Sequence, residues 1–174
     1  MNTRSLSPSI ITALWLLPCL AILQAGLVTH LEVAGALANI VLLVVVDWGI
    51  LRGLDEGVIW AFIGGLLLDI FSGYPLGTST VALVVVAALI SMGETTFMRT
   101  HALLPPVTVF LATLLYYAVV VFILVSTHQS VNLATVFRQV AIPAALLNGA
   151  ANIVVYPLTH RLEQRIYPVP RASW

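Results

Sequence analysis

The chain has 174 residues, of which 60% are hydrophobic and only 8% are charged, and its formal net charge at pH 7 is zero. A soluble globular protein carries roughly 25% charged residues, because water must wet its surface. The composition therefore excludes an ordinary soluble domain and predicts that lipid covers most of the protein. The balanced charge also gives no reason to expect nucleic-acid binding. A single cysteine, Cys19, excludes an internal disulfide.

Six apolar segments approach the roughly 20 residues that a helix needs to cross a bilayer. In chain order they run over Ile10–Val28, Ala34–Leu51, Leu54–Phe71, Gly77–Gly93, Leu103–Ser126 and Val136–Pro157. The segments between them are short, and no linker or charge run marks off a second domain. Residues 1–174 are therefore predicted to form one all-α membrane domain, a bundle of six transmembrane helices.

The arginines predict the orientation of this bundle. The chain has seven basic residues, all of them arginine. With the N-terminus in the cytoplasm, only Arg138 falls on the outer side. The cytoplasmic side then holds Arg4, Arg52, Arg99, Arg161, Arg165 and Arg171. This asymmetry obeys the positive-inside rule, and an even number of spans returns the C-terminus to the cytoplasm.

The third segment carries small residues on one helical face. Gly57, Ala61 and Gly65 are spaced four apart, and Gly64 lies beside the last of them. Small residues at this spacing let another helix backbone approach closely. We expect a helix contact here, either within the bundle or with a partner, and the same face allows a homodimer.

Asp69 continues this register, four residues beyond Gly65, and is followed by a turn that contains Gly73, Pro75 and Gly77. A carboxylate at the centre of a membrane helix costs about 2.5–3.5 kcal/mol, so it rarely lacks a role. The favoured interpretation is structural, with Asp69 accepting hydrogen bonds from amides of the turn and capping the next helix. The alternative is a contact with a partner or ligand.

Other charged residues suggest ion pairs. Asp47 precedes Arg52 by five residues near the cytoplasmic end of the second helix, and we expect a pair between them or with a neighbouring helix. Arg138, alone on the outer side, is the candidate countercharge for Asp69 or Glu32.

Two asparagines on the last helix, Asn148 and Asn152, lie four residues apart, and Tyr156 continues the row. Polar side chains on one stripe of a membrane helix usually bond to another helix, which is the favoured interpretation; a small ligand pocket is the alternative. The four histidines stand singly, and no nucleophile motif accompanies them. The sequence thus predicts no enzyme, no metal site and no cofactor.

The segment GLLLDIFSGYPLG, from Gly65 to Gly77, resembles the signature of the MreD family, the rod shape-determining membrane proteins of bacteria. Asn39, Arg52-Gly53, Pro143 and Asn148 also fit the family pattern. The resemblance implies a non-enzymatic subunit of the bacterial cytoplasmic (inner) membrane. Such a subunit works with MreC and connects MreB to the peptidoglycan elongation enzymes.

The resemblance also implies a fold similar to the substrate-binding subunits of energy-coupling-factor vitamin transporters. The alternative function is therefore substrate capture for a vitamin or metal transporter. It requires an outward-facing pocket with several convergent polar groups.

Overall fold

The computed structural model describes residues 8–27, 38–73, 75–92, 104–129 and 132–168. Within these ranges the chain forms helices and no strand, which confirms the predicted all-α class. The six helices are α1 (Pro8–Leu27), α2 (Ile40–Arg52), α3 (Leu54–Ser72), α4 (Thr78–Ser91), α5 (Leu104–Ser126) and α6 (Leu133–Ile166).

Helix α2 lies at the centre of the bundle. It contacts all five other helices, and every residue from Val41 to Leu51 is buried. A helix that is apolar on all sides belongs in a core. Its 13 residues extend only about 20 Å at 1.5 Å per residue, less than the roughly 30 Å of a bilayer core. Because the other helices surround α2, its backbone lies within protein, and its length does not have to match the thickness of the bilayer.

The start of α2 differs from the predicted start at Ala34. The helix begins at Ile40, because the Asn39 side chain caps it by accepting a hydrogen bond from the Leu42 amide at 3.0 Å. Such a cap satisfies an amide that has no partner within the first turn, and it fixes where the helix begins. Residues 34–37 of the predicted helix lie outside the described residues.

The other helices surround α2 in the spatial order α1, α3, α4, α5 and α6, each packed against the next. Between α6 and α1 a groove remains, and its floor is formed by Ile40 and Val44 of α2. In the described part of the chain, the ring around the central helix is therefore open along this line, which we call the α1–α6 seam.

A single residue, Gly53, connects α2 to α3. Its φ of +83° lies in the region that favours glycine, and it lets the chain reverse between two adjacent helices. The connection from α3 to α4 uses the same freedom twice, with φ of +69° at Gly73 and +96° at Gly77.

Helix α6 is longer than the predicted segment, which ended at Pro157. It continues to Ile166, with Pro157 inside it, because its last turns pack against the ends of α2 and α3. Near its start, Phe137–Ala141 forms a π-helical turn. Pro143 follows two residues later, and a proline ring clashes with the carbonyl four residues earlier, so the wider turn accommodates it.

Three helices of the described chain, α1, α5 and α6, are long and apolar enough to cross a membrane, and α4 is a shorter apolar helix. Large apolar side chains face outward from these helices: Trp15 is 74% exposed and Phe122 is 72% exposed. Outward-facing apolar side chains on long apolar helices are typical of a protein whose solvent is lipid. The fold is that of an integral membrane protein.

Candidate functional site

The turn between α3 and α4 is organised around the Asp69 carboxylate, which is 3% exposed. One oxygen accepts from the Ser79 amide at 2.6 Å. The other accepts from the Gly77 amide at 2.9 Å, the Thr80 amide at 3.1 Å and the Thr80 hydroxyl at 2.6 Å. The Ser79 and Thr80 amides belong to the first turn of α4, whose donors have no partner within the helix, and Gly77 directly precedes it. Asp69 therefore caps α4, as the favoured interpretation of the sequence expects.

The turn itself is closed by local bonds. The Pro75 carbonyl accepts from the Thr78 amide at 3.1 Å and from its hydroxyl at 2.8 Å. Gly73 ends α3 in the left-handed conformation, and Gly77 presents its amide to Asp69. The turn predicted at Gly73, Pro75 and Gly77 is therefore present, and both glycines have the positive φ that glycine favours.

The small residues of α3 pack inside the bundle. A Cβ on Gly65 would collide with the backbone of Thr80, and one on Gly64 would lie 2.9 Å from Val41 Cγ1. Ala61 is completely buried. The close-packing face therefore receives α4 on one side and α2 on the other.

Gly57 extends this contact toward the other end of α3. A Cβ there would lie 2.9 Å from the Gly49 Cα of α2 and 2.9 Å from the Ser91 hydroxyl of α4. Three helices approach one another at this point because two of them carry glycine. The sequence interpretation left a partner contact open for this face, but the bundle itself occupies it.

Asp47 lies in the buried core and does not pair with Arg52. Its partner comes instead from a neighbouring helix, α6, which is the other predicted alternative. Its side chain is completely buried, and one carboxylate oxygen accepts from the Asn152 amide group at 3.2 Å. The second carboxylate oxygen and the Asn152 carbonyl oxygen have no hydrogen-bond partner among the described residues. Thr159 lies beside the pair, and its hydroxyl donates to the Val155 carbonyl at 3.1 Å.

Asn148 joins α6 to two other elements. Its carbonyl oxygen accepts from the Asn39 amide at 2.9 Å, and its amide group donates to the Thr113 hydroxyl of α5 at 3.1 Å. Like Asn152, it is completely buried. The two asparagines of the polar stripe thus connect α6 to α2, to α5 and to the residue that caps α2.

Arg52 belongs to a polar cluster at the end of the bundle. It forms an ion pair with Glu56 at 3.0 Å and a longer one with Glu163 at 3.5 Å. Its guanidinium lies 3.7 Å from the centre of the Tyr167 ring, and cations are attracted to such ring faces. Glu56 also accepts from the Tyr167 hydroxyl at 3.1 Å and from the Trp48 indole at 3.0 Å. This cluster ties the end of α6 to α2 and α3.

The sequence analysis missed Glu56, Glu163 and Tyr167 as partners of Arg52. The spacing of Arg52 and Glu56 at i and i+4 is a recognisable signal for an ion pair. Nothing in the sequence shows that Glu163 and Tyr167 lie at the same end of the bundle.

Trp48 also stacks on Trp60 with ring centres 4.0 Å apart, which places both rings in the core.

Arg138 does not pair with Asp69, so that prediction is wrong. Arg138 is exposed and has no ion-pair partner among the described residues. Four hydrogen bonds already compensate the Asp69 carboxylate, so Asp69 has no need of a countercharge. Glu32, the other predicted partner, lies outside the described residues.

The lipid-facing surface carries a shallow groove between α5 and α6, with a volume of about 310 Å³. Gly149 and Ala150 lie in it, between the larger side chains of Leu146, Ile153 and Val107. The two helices are close here, since a Cβ on Gly149 would lie 3.3 Å from the Pro106 carbonyl. We call this the α5–α6 groove.

No group of three metal-ligating side chains occurs in the part of the chain that the structure describes.

Together the buried helix α2, its ring of apolar helices and the capped α3–α4 turn define an all-helical integral membrane protein. A family model described as rod shape-determining protein MreD matches residues 4–166. This match covers nearly the whole chain, and the chain belongs to the MreD family. No curated protein and no solved structure shows a significant match.

Proposed function

We propose that this chain is the MreD-like membrane subunit of the bacterial cell-elongation complex. In this role it binds the transmembrane helix of MreC and helps to organise peptidoglycan synthesis, and thereby cell shape. The match to the family over residues 4–166 is the observation that carries the proposal. MreB and the peptidoglycan elongation enzymes belong to the same complex, and the subunit itself is not an enzyme.

The proposal includes a location and a topology. The chain lies in the bacterial inner membrane with six passes and with both termini in the cytoplasm. The polar cluster around Arg52 and the end of α6 then lie at the cytoplasmic side, and the Asp69 turn lies at the outer side. The arginine distribution supports this orientation.

We assign the MreC contact to the α5–α6 groove. The glycine face of α3, the sequence-based candidate, is filled by α2 and α4. Lipid tails are as apolar as leucine, so helices in a membrane associate through close packing, which small residues at the contact favour. Gly149 and Ala150 supply small residues on a surface that faces lipid.

The experiment is co-purification from native membranes. The chain, carrying an affinity tag, is extracted in mild detergent, and its partners are identified by mass spectrometry. We expect MreC in an amount comparable to the tagged chain. Recovery of a transport ATPase or a bound vitamin, without MreC, would instead support the substrate-binding alternative.

A variant pair tests the groove. Ala150→Trp fills the α5–α6 groove from an exposed position, and we expect it to reduce the recovery of MreC at least tenfold. Ala134→Trp is the matched control, because Ala134 is also exposed on α6 but lies four helical turns away. Equal recovery with both variants would contradict the groove as the contact, while the family function would stand.

No observation favours the transporter alternative over the first proposal. Its pocket would need convergent polar groups, but Asp69 caps α4 and the two asparagines bond within the core. Both grooves described here, the α5–α6 groove and the α1–α6 seam, are lined almost entirely by apolar side chains. Similarity to the fold of energy-coupling-factor subunits stays a prediction.

A further inference from the structure

We propose that the α1–α6 seam binds one anionic phospholipid, with an acyl chain in the seam and the phosphate on Arg165 and Arg161. The seam has a volume of about 260 Å³ and is lined by side chains of three helices. It is the line between α1 and α6 where Ile40 and Val44 of α2 form the floor. This lipid site goes beyond the proposed binding of MreC, and neither proposal depends on the other.

The walls of the seam suit a flexible chain better than a helix. Leu16 and Leu20 of α1 face Leu158 and Leu162 of α6 across it. These rims carry no glycine or alanine, so the backbone of a second helix cannot approach the floor. A linear acyl chain fits between leucine side chains. In the α5–α6 groove, by contrast, the small residues Gly149 and Ala150 allow the backbone of a second helix to approach.

The charge at one end of the seam favours an anionic headgroup. Arg165 follows Leu158 by seven residues and Leu162 by three, so it shares their side of α6, and Arg161 lies one turn before it. Both arginines are exposed, and neither forms an ion pair within the described ranges. They extend the wall of the seam toward the bilayer surface, where phosphates lie.

Among the described residues, the nearby carboxylates do not compensate these arginines. Glu163, between them in sequence, points to the other side of α6 and pairs with Arg52, which also holds Glu56. Asp55 is exposed on α3, a helix that contributes no side chain to the seam. Two positive charges therefore remain available next to the apolar wall.

The expected preference for an anionic lipid follows from the separate roles of the apolar seam and the two arginines. An acyl chain gains little by leaving the bilayer for an equally apolar seam, so the seam fixes the position of the lipid and the arginines discriminate between headgroups. Each basic residue near the membrane surface contributes a factor of about five in affinity for an anionic lipid. Two arginines thus predict a preference of roughly 25-fold over a zwitterionic lipid with the same chains.

The test compares two lipids that differ only in their headgroup. Dioleoylphosphatidylglycerol and dioleoylphosphatidylcholine are titrated into the full-length protein in detergent, and bound lipid is counted by native mass spectrometry. We expect the roughly 25-fold preference in the wild type. Arg161→Gln and Arg165→Gln should each reduce it to about fivefold, while Arg138→Gln, at the other end of α6, should leave it unchanged.

Two further measurements separate the parts of the site. Leu158→Trp narrows the seam and should weaken both lipids without changing their ratio, whereas Ile153→Trp, on the opposite face of α6, should weaken neither. Free glycerophosphoglycerol should not bind detectably, because it lacks the chain. Equal affinity for both lipids in the wild type would overturn the proposal, as would binding of the free headgroup or an unchanged preference in both seam arginine variants.

Discussion

Replacement of Asp69 by alanine is expected to release the start of α4 from α3. The carboxylate accepts four hydrogen bonds, three from backbone amides and one from the Thr80 hydroxyl. Hydrogen bonds to a charged group contribute at least about 1.5 kcal/mol each, about 6 kcal/mol together. Removing a carboxylate from the centre of a membrane helix returns about 3 kcal/mol, which is an upper bound for Asp69 in the last turn of α3. The net loss of unfolding free energy is therefore at least about 3 kcal/mol.

This loss is measurable as a shift in thermal stability. For a chain of this size it lowers the melting temperature by roughly 10 °C, followed by helix circular dichroism in detergent. Asp69→Asn should give a smaller decrease, because one acceptor oxygen remains. Asp55→Ala is the control, since Asp55 lies exposed on the same helix. If Asp69→Ala melted within about 2 °C of the wild type, the cap would not stabilise the bundle.

Three further changes test the packing of the core. Gly65→Ala should lower the melting temperature by at least about 5 °C because its Cβ meets the backbone of α4, whereas Gly26→Ala, with nothing within 4 Å of the added carbon, should be tolerated. Asp47→Asn should change stability by less than about 1 kcal/mol, because the new amide can donate to the Asn152 oxygen that has no partner among the described residues. Asn152→Ala should cost about 2 kcal/mol, because it removes a donor to the buried Asp47 carboxylate. Arg52→Gln should speed hydrogen exchange in the last turns of α6, because it removes the ion pair with Glu163 and the contact with the Tyr167 ring.

Each of these expectations has a clear contrary result. Equal melting of the two glycine variants would mean that α3 and α4 do not approach closely. A large loss from Asp47→Asn would mean that the core requires the carboxylate itself. Unchanged exchange in Arg52→Gln would mean that apolar packing alone holds the end of α6.

The parts of the fold that the sequence predicts are those that depend on local chemistry. Six apolar segments correspond to the six helices, and the Asp69 turn is readable because glycine and proline have distinct backbone preferences. The burial of α2 also has a sequence signal, since Val41–Val46 is apolar on every face. The predicted sixth segment ends at Pro157, whereas α6 continues to Ile166, because a membrane helix packed against other helices tolerates an internal proline.

Long-range partners could not be predicted in the same way. Asp47 and Arg52 lie five residues apart on one helix, yet their partners come from α3 and α6. Which side chains meet depends on how the helices are arranged around α2, and one sequence does not specify that arrangement. The same limit applied to the glycine face, whose spacing predicts a close helix neighbour without identifying it.

The most direct test of the account is cross-linking between this chain and MreC in native membranes. In a Cys19→Ser background, Ala150→Cys places a thiol in the α5–α6 groove, and Phe62→Cys places one on the exposed side of α3. Each variant is oxidised together with MreC that carries single cysteines along its transmembrane helix. We expect a disulfide with MreC at position 150 and none at position 62. A cross-link at position 62 alone would contradict the assigned contact, and the absence of any MreC cross-link, together with its absence from the purified complex, would contradict the proposed function.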